Sequence, residues 1–283
     1  MTATILRIIL IVLAFLILIS AWGFYISIRP PKIISLITPR DLNMQYEDVS
    51  FKTADGLTLR GWHVPAKKQT DKTLILLHGY PADKGNILPA LGFLHDDFNL
   101  LLFDFRYLGE SEGSYSTAGA KEVEDLLAAV RFLKTRGIKE VGVWGFSMGG
   151  AVALMALEKA PEISAVVSES SYASLSAMAL QLFRIPLVSY PVAYLIGFWA
   201  KLVLGIDVRD VSPAEKIRNT TVPILITHSS ADAVVPFSQA KALQEALVNN
   251  PKAEFYFNEE FSHGQLASDY QSRVKSFFQK HLS

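Results

Sequence analysis

One serine stands in a sequence pattern that suits nucleophilic chemistry. The pattern is Gly145-Phe146-Ser147-Met148-Gly149. It follows a β-prone run at residues 141–144 and precedes a segment of helical spacing at 151–158. In a sharp turn from strand to helix, glycines remove the Cβ atoms that would clash, and the serine hydroxyl projects above the sheet. We therefore predict a nucleophile at Ser147; the alternative is a glycine-rich turn whose serine only caps the helix.

A serine hydroxyl is a poor nucleophile at neutral pH, so it needs a general base, and the base needs an orienting carboxylate. Asp232 lies just beyond the β-prone run 224–227, and His263 lies in a loop after the run 254–257. Loops that follow neighbouring parallel strands reach the same edge of a sheet. We predict that Ser147, Asp232 and His263 form a catalytic triad.

The two predicted partners of the serine each have an alternative interpretation without a catalytic role. His263 fits a surface-loop histidine, and Asp232 fits a turn former between two alanines. Glu169, which follows the preceding β-prone run, is a rival orienting acid for the same histidine. Asp232 has the better sequence context of the two carboxylates.

Stabilisation of a tetrahedral oxyanion requires preorganised hydrogen-bond donors. Met148 follows the nucleophile directly, and Tyr80 follows His78-Gly79 at the end of the β-prone run 73–77. We expect the backbone N–H groups of Met148 and Tyr80 to form the oxyanion hole. His78 precedes a tight glycine turn, so we expect it to position the loop and assign it no chemistry.

The segments that must position these residues alternate between short apolar runs and stretches of helical spacing. This alternation is typical of a buried parallel sheet with crossover helices. Two β-prone segments around Asp55-Gly56 come first and predict an antiparallel hairpin. The predicted strands are residues 49–53, 57–64, 73–77, 100–103, 141–144, 163–167, 224–227 and 254–257, and the predicted helices are 123–133, 151–158, 239–247 and 268–278.

Residues 171–216 interrupt the alternation with a largely apolar stretch that is too long for a simple crossover. We predict two or three helices here that form a cap over an apolar pocket, with Phe183 and Trp199 as candidate substrate-binding residues. The alternatives are ordinary crossover packing and a second contact with a membrane surface.

The N-terminus contains an uncharged run at residues 8–28, which is 21 positions long. As a helix it would measure about 31 Å, enough to cross a hydrocarbon core of about 30 Å. A signal peptide is the alternative, but its apolar region is typically about 7 to 15 residues. We predict one membrane-spanning helix and leave the side of the membrane open. The predicted organisation is an anchor over residues 1–29, a linker over 30–42 and a folded body over 43–283.

Composition excludes several classes of protein. Half of the residues are hydrophobic and 19% are charged, which indicates a well-filled core rather than a disordered chain. Basic and acidic residues number 27 each, so we expect no nucleic-acid partner. The chain has no cysteine, which excludes disulfides, a thiolate nucleophile and a Cys-ligated metal site.

Five motifs occur in a fixed order along the chain. They are His78-Gly79-Tyr80, the segment from Asp104 to Gly113, the segment from Gly145 to Gly149, the segment from Asp232 to Pro236, and Ser262-His263-Gly264. Together they resemble the α/β-hydrolase superfamily, and within it the serine aminopeptidase-like branch of small, often membrane-anchored hydrolases. The resemblance covers about residue 49 to the C-terminus. Two positions depart from it: Tyr107 stands where relatives often have glycine, and Ser229-Ser230 replaces an approach to the acid that commonly contains glycine.

The resemblance implies an α/β-hydrolase fold, with a mostly parallel central sheet, helices on both faces and a helical cap insertion. It also implies esterase, thioesterase, lipase or occasionally peptidase activity without a metal or organic cofactor. We therefore expect hydrolysis of a carboxylic ester or thioester of an acyl or lipid-like substrate, through an acyl-enzyme at Ser147. The alternatives are a serine peptidase on the same triad and a non-catalytic, membrane-bound interaction protein. The sequence leaves the natural substrate and the oligomeric state open.

Overall fold

A computed structural model describes residues 2–182 and 189–282. The described residues form one eight-stranded sheet. Its strands, in chain order, are β1 (Glu47–Lys52), β2 (Thr58–Val64), β3 (Thr73–Leu77), β4 (Asn99–Phe103), β5 (Val141–Phe146), β6 (Ile163–Glu169), β7 (Ile224–Ser229) and β8 (Ala253–Asn258). All eight predicted strands are present, and their ends differ from the prediction by a few residues.

The sheet is antiparallel at one edge and parallel elsewhere. Its spatial order is β1-β2-β4-β3-β5-β6-β7-β8. β1 and β2 form the predicted hairpin, with Gly56 at a φ of 90° in the turn, and β2 also pairs with β4 in antiparallel fashion. The remaining neighbours are parallel. The carboxyl ends of β3 to β8 therefore lie along one edge, where ligand sites form in such sheets.

Helices cover both faces of the sheet. Side chains along β3 alternate between two cores, since Ile75 and Leu77 belong to one buried cluster and Leu74 and Leu76 to the other. This period of two arises because successive strand residues point to opposite faces. The helices are α1 (Thr2–Ile28), α2 (Lys84–Leu91), α3 (Glu122–Thr135), α4 (Met148–Ala156), α5 (Leu175–Leu182), α6 (Ser189–Trp199), α7 (Pro213–Lys216), α8 (Phe237–Ala246) and α9 (Tyr270–His281).

The short helix α2 was not predicted from the sequence. It contains Gly85, Asn86 and Pro89, which are poor helix formers in isolation. Its N-terminus is capped by Asp83, whose carboxylate accepts a 3.1 Å hydrogen bond from the Asn86 amide. The helix also buries Ile87, Leu88 and Leu91 in one of the two cores, so tertiary packing outweighs its low intrinsic propensity.

The segment between β6 and β7 contains helices, as predicted. They are α5, α6 and α7, and a π-helical turn at Ala200–Leu204 continues α6. The role of this segment as a cap over the site stays a prediction.

Helix α1 is long and apolar enough to cross a membrane. Its side chains are exposed from Ala3 to Phe15, whereas Ser20 and Phe24 are buried against the body. Phe24 packs with Ala200 and Leu204 of the π-helical turn. The C-terminal half of α1 is therefore docked on the segment between β6 and β7, and the N-terminal half projects away from the body.

The predicted linker lies against the body. The Ser35 amide donates to Asp83 at 2.6 Å, and the Lys32 ammonium donates to the Ser111 carbonyl oxygen at 3.1 Å. Tyr107, one of the two positions that depart from the resemblance, has a φ of 67°, in the left-handed region that favours glycine. Its hydroxyl donates to the Pro30 carbonyl oxygen at 2.8 Å. The tyrosine thus adds a contact that holds the linker, which a glycine could not make.

Candidate active site

Ser147 lies in a strained turn between β5 and α4. Its φ of 52° and ψ of −114° are unusual for a residue with a side chain. A Cβ atom added to Gly145 would lie 2.4 Å from the Gly149 carbonyl oxygen, so the turn requires glycine there. The Ser147 amide donates to the Glu169 carbonyl oxygen at 2.8 Å, which ties the turn to the end of β6. The serine is only half-buried. This geometry matches the nucleophile turn predicted from the sequence.

Asp232 and His263 lie together, as predicted for the acid and the base. Asp232 follows β7 and His263 follows β8, and the Asp232 Oδ2 lies 2.6 Å from the His263 Nδ1. An ionised carboxylate can only accept hydrogen bonds, so the imidazole donates the hydrogen bond from its Nδ1. The Nε2 lone pair is then free to take a proton. The Asp232 Oδ1 accepts from the amides of Val234 at 2.8 Å and Val235 at 2.9 Å. The carboxylate is therefore oriented on both of its oxygens.

The environment of Asp232 favours its ionised form. Its burial by itself raises the pKa, but the hydrogen bond from His263 and those from the Val235 and Val234 amides outweigh burial, so the pKa lies below the ordinary value of 3.8. The Asp232 side chain is fully buried and that of His263 is 16% exposed. The carboxylate is thus shielded from water while the imidazole remains reachable.

His263 packs against the residue that precedes the serine. The ring centroids of Phe146 and His263 are 4.7 Å apart. Gly264 has a φ of 82°, and a Cβ atom there would lie 3.1 Å from the Phe146 Cζ. The loop after β8 therefore packs closely over the turn, and the structure brings the histidine to the neighbourhood of Ser147.

The loop that carries Tyr80 also reaches the turn. A Cβ atom added to Gly79 would lie 2.8 Å from the Phe146 Cδ1 and 3.3 Å from the Ser147 Cβ. Met148 is the first residue of α4, where backbone N–H groups lack an intrahelical acceptor. The structure thus places the Tyr80 loop beside the N-terminus of α4, the arrangement that an oxyanion hole requires. The roles of the Tyr80 and Met148 amides stay predictions.

His78 uses both ring nitrogens in backbone contacts. Its Nε2 accepts from the Phe105 amide at 3.1 Å, so its Nδ1 carries the proton and donates to the Gly79 carbonyl oxygen at 2.7 Å. Burial lowers the pKa of His78, which keeps the ring neutral. These contacts hold the Gly79 turn, in agreement with a positioning role.

Glu169, the rival orienting acid, is engaged elsewhere. Its carboxyl group accepts from the Ser170 hydroxyl at 2.9 Å and from the Thr227 hydroxyl. Burial raises the pKa of Glu169 to about 7, against an ordinary value of 4.5. The structure therefore pairs His263 with Asp232.

His228 belongs to the site but was not identified from the sequence. It lies at the C-terminal end of β7, and its Nε2 donates to the Val235 carbonyl oxygen at 2.8 Å. The same nitrogen is 3.8 Å from the Asp232 Oδ2. Burial lowers the pKa of His228, so the ring is neutral. The hydrogen bond from His228 to Val235 thus holds the loop that carries Asp232. Its position four residues before the acid is the only signal the sequence contains.

The two candidate substrate-binding residues have different outcomes. Phe183 lies outside the described residues. Trp199 donates from its indole N–H to the Ser20 Oγ at 3.0 Å, so its side chain packs on α1. Substrate contact by either residue stays a prediction. Within residues 2–182 and 189–282, no group of three or more histidine or acidic side chains is placed to hold a metal ion.

Comparison with known proteins agrees with this fold. The family described as alpha/beta hydrolase fold matches residues 72–204. The uncharacterized protein YqkD of Bacillus subtilis is 31% identical over 225 residues, which are 74% of this chain and 71% of that protein. The lysophosphatidylserine lipase ABHD12 of Danio rerio is 26% identical over 271 residues, which are 81% of this chain and 67% of that protein.

A solved structure shows the same architecture. The Pyrococcus furiosus esterase Pf2001 superposes with a TM-score of 0.75 at 29% identity, and the match covers 91% of this chain and 99% of that one. The similarity thus extends over most of the chain. The chain is a member of the α/β-hydrolase superfamily.

Proposed function

We propose that the chain is a serine hydrolase that cleaves a carboxylic ester or thioester through an acyl-enzyme at Ser147. The observation that carries this proposal is the 2.6 Å hydrogen bond between the Asp232 Oδ2 and the His263 Nδ1, beside a serine in a strained strand-to-helix turn. This bond fixes the tautomer in which the imidazole Nε2 is the base.

In the proposed acylation step, the Ser147 Oγ attacks the substrate carbonyl carbon while the His263 Nε2 takes the hydroxyl proton. Asp232 stabilises the imidazolium that forms, without itself taking the proton. The tetrahedral oxyanion accepts hydrogen bonds from the Met148 and Tyr80 amides, at the positive end of the α4 dipole. The imidazolium then donates its proton to the departing alcohol or thiol, and the acyl group stays on the serine.

Deacylation uses the same groups in reverse roles. The His263 Nε2 takes a proton from water, and the resulting hydroxide attacks the acyl carbonyl. The second tetrahedral intermediate collapses when the imidazolium returns its proton to the Ser147 Oγ. The products are a carboxylic acid and the free enzyme.

The proposed substrate is acyl or lipid-like. Helix α1 has the length and hydropathy to cross a membrane, and we propose that it anchors the enzyme there. The segment between β6 and β7, the predicted cap, is rich in apolar side chains. Similarity to a lysophosphatidylserine lipase and to an esterase supports an ester with an apolar acyl group.

The proposal is tested by replacing the nucleophile. Ser147→Ala should abolish both covalent labelling by a fluorophosphonate probe and hydrolysis of p-nitrophenyl esters. The matched control is Ser272→Ala on the surface of α9, which should keep both. If Ser147→Ala protein of native thermal stability is still labelled and still turns over ester, the proposal is wrong.

Two further arms of the experiment separate the alternatives. Esters and thioesters of increasing acyl length, assayed beside aminopeptide substrates, distinguish an acyl hydrolase from a peptidase on the same triad. Wild-type protein that is folded but takes no label at all is a non-catalytic member of the superfamily, and this result would also overturn the proposal.

A further inference from the structure

The packing of α1 against α6 shows where the body lies along the apolar helix. The Trp199 indole N–H donates to the Ser20 Oγ at 3.0 Å, and the Ser20 hydroxyl donates to the Ile17 carbonyl oxygen at 2.8 Å. Ser20 is 4% exposed and Phe24 is 5% exposed. The Trp199 indole and the Ser20 hydroxyl at this contact both have hydrogen-bond partners, as an apolar environment requires.

The length of α1 then sets a depth for this contact. A helix advances about 1.5 Å per residue, so Ser20, thirteen residues after Arg7, lies about 20 Å along the helix from that charge. A hydrocarbon core is about 30 Å thick. If Arg7 stays at one surface, Ser20 lies about 10 Å inside the opposite leaflet. An ordinary tilt of about 20° changes this depth by only about 1 Å.

The outer side of α6 and the turn after it is apolar and exposed. Exposed side chains recur at every fourth position, which places them on one face of a helix, and a fifth lies next to them. We call this set the α6 face: Tyr190, Tyr194, Phe198, Leu202 and Val203. Tyr194 is 75% exposed and Leu202 is 64% exposed. An exposed apolar patch of this kind marks an interaction site.

We propose that the α6 face inserts into the leaflet through which the C-terminal half of α1 passes, so that its partner is the lipid bilayer. This inference rests on the proposed membrane anchoring by α1. The tyrosines suit the interfacial region, where amphipathic rings concentrate. Lys201, beside the face, has a side chain long enough to extend its ammonium toward the interface, and that ammonium lies 3.7 Å from the Asp207 carboxylate.

This insertion brings the oxyanion loop to the membrane surface. The Tyr80 hydroxyl donates to the Ser27 carbonyl oxygen at 2.5 Å, and Ser27 lies at the end of the uncharged run. The loop predicted to bind the oxyanion is therefore one hydrogen bond from the point where α1 leaves the hydrocarbon. A lipid ester can reach the site from the bilayer without crossing bulk water.

The absence of cysteine makes the insertion measurable. Full-length Phe198→Cys and Leu202→Cys proteins are labelled with the environment-sensitive dye NBD and placed in phosphatidylcholine nanodiscs. Leu13→Cys, in the middle of α1, tests whether the anchor lies in the lipid. Val248, which follows α8, is 78% exposed, and Val248→Cys serves as the water-exposed reference. We expect doxyl-labelled lipid to quench the dyes at 198 and 202 several-fold more than the dye at 248, and aqueous iodide to show the reverse order.

The outcomes separate this inference from the anchor proposal. If the dye at 13 is quenched by lipid while those at 198 and 202 behave like the dye at 248, the inserted face is wrong and the anchor stands. If the dye at 13 also behaves like the dye at 248, both ideas are wrong. If the dye at 198 is shielded from iodide but loses this shielding in nanodiscs that hold a single chain, a second copy covers the α6 face. This result would overturn the proposal.

Discussion

The Tyr80 side chain joins the apolar helix to the candidate oxyanion loop, because its hydroxyl donates a 2.5 Å hydrogen bond to the Ser27 carbonyl oxygen. Burial raises the pKa of Tyr80 to about 12, so the hydroxyl stays protonated at physiological pH. The backbone N–H of the same residue is a predicted oxyanion donor. One residue therefore couples the position of α1 to the geometry of the site.

The Tyr80→Phe variant should lose this coupling and keep the backbone amide. We expect the free energy of unfolding to fall by about 1 kcal/mol, the usual net contribution of one hydrogen bond. We also expect a lower kcat for ester hydrolysis, since the loop loses its support. Thermal unfolding and steady-state kinetics measure the two effects. Tyr107→Phe, which removes the similar contact with Pro30, is the control; an equal kcat loss in both variants argues against a special role for Tyr80.

The Asp232→Asn variant should lower kcat by about 10,000-fold, because an amide cannot hold the histidine in the productive tautomer. Glu169→Gln is the matched control, since that carboxyl group bonds to Thr227 and Ser170. It should keep most of the activity. Initial rates on one ester at saturating concentration measure both. The opposite ranking of the two variants would make Glu169 the orienting acid.

Glu169 should also make stability depend on pH. Its pKa is about 7 in the folded state against an ordinary 4.5. A carboxyl whose folded pKa is raised stabilises the fold most below about pH 4.5, and this contribution is lost as the pH rises through about 7. The difference amounts to at most about 3 kcal/mol. Urea unfolding at pH 5 and pH 8 should therefore show a smaller change for Glu169→Gln than for the wild type, and identical changes contradict the assignment.

The Gly79→Ala variant should damage the site through sterics alone. The new methyl group would lie 2.8 Å from the Phe146 ring, which itself packs on His263. We expect kcat/KM to fall by about 100-fold, the effect of a small misplacement of reacting groups. Gly197→Ala is the control, because, among the described residues, its methyl group would meet only Val208, at 3.5 Å. The rate of labelling by a fluorophosphonate probe measures the change. An unchanged rate in Gly79→Ala would contradict the close packing of Gly79 against Phe146.

The local sequence predicted the strands well, because hydrophobic periodicity and turn residues act over a few positions. The Asp55-Gly56 hairpin and β3 follow directly from such patterns. α2 was missed because Pro89 lowers its helix propensity, and burial between other elements stabilises it nonetheless. Its existence depends on neighbours that are distant in the chain.

In the candidate site, too, some features follow from local sequence and others depend on tertiary packing. The segment from Gly145 to Gly149, with a strand before and a helix after, predicted Ser147 as the candidate nucleophile, and the loops after β7 and β8 contained the candidate acid Asp232 and base His263. The sequence context favoured Asp232 over Glu169, but both residues follow neighbouring strands, so only the coordinates show that His263 bonds to Asp232. The contribution of His228 also needed coordinates, since its contact with Val235 depends on how the loop closes.

By itself, the sequence determined the order of the strands, the apolar helix and the residues of the candidate triad, because these depend on local spacing and residue type. The tertiary structure alone decided that Trp199 bonds to Ser20 and that Tyr80 bonds to Ser27, across separations of 179 and 53 residues. Such contacts form only when α1 and the body pack together. No local pattern encodes them, and they are what relate the candidate site to the apolar helix.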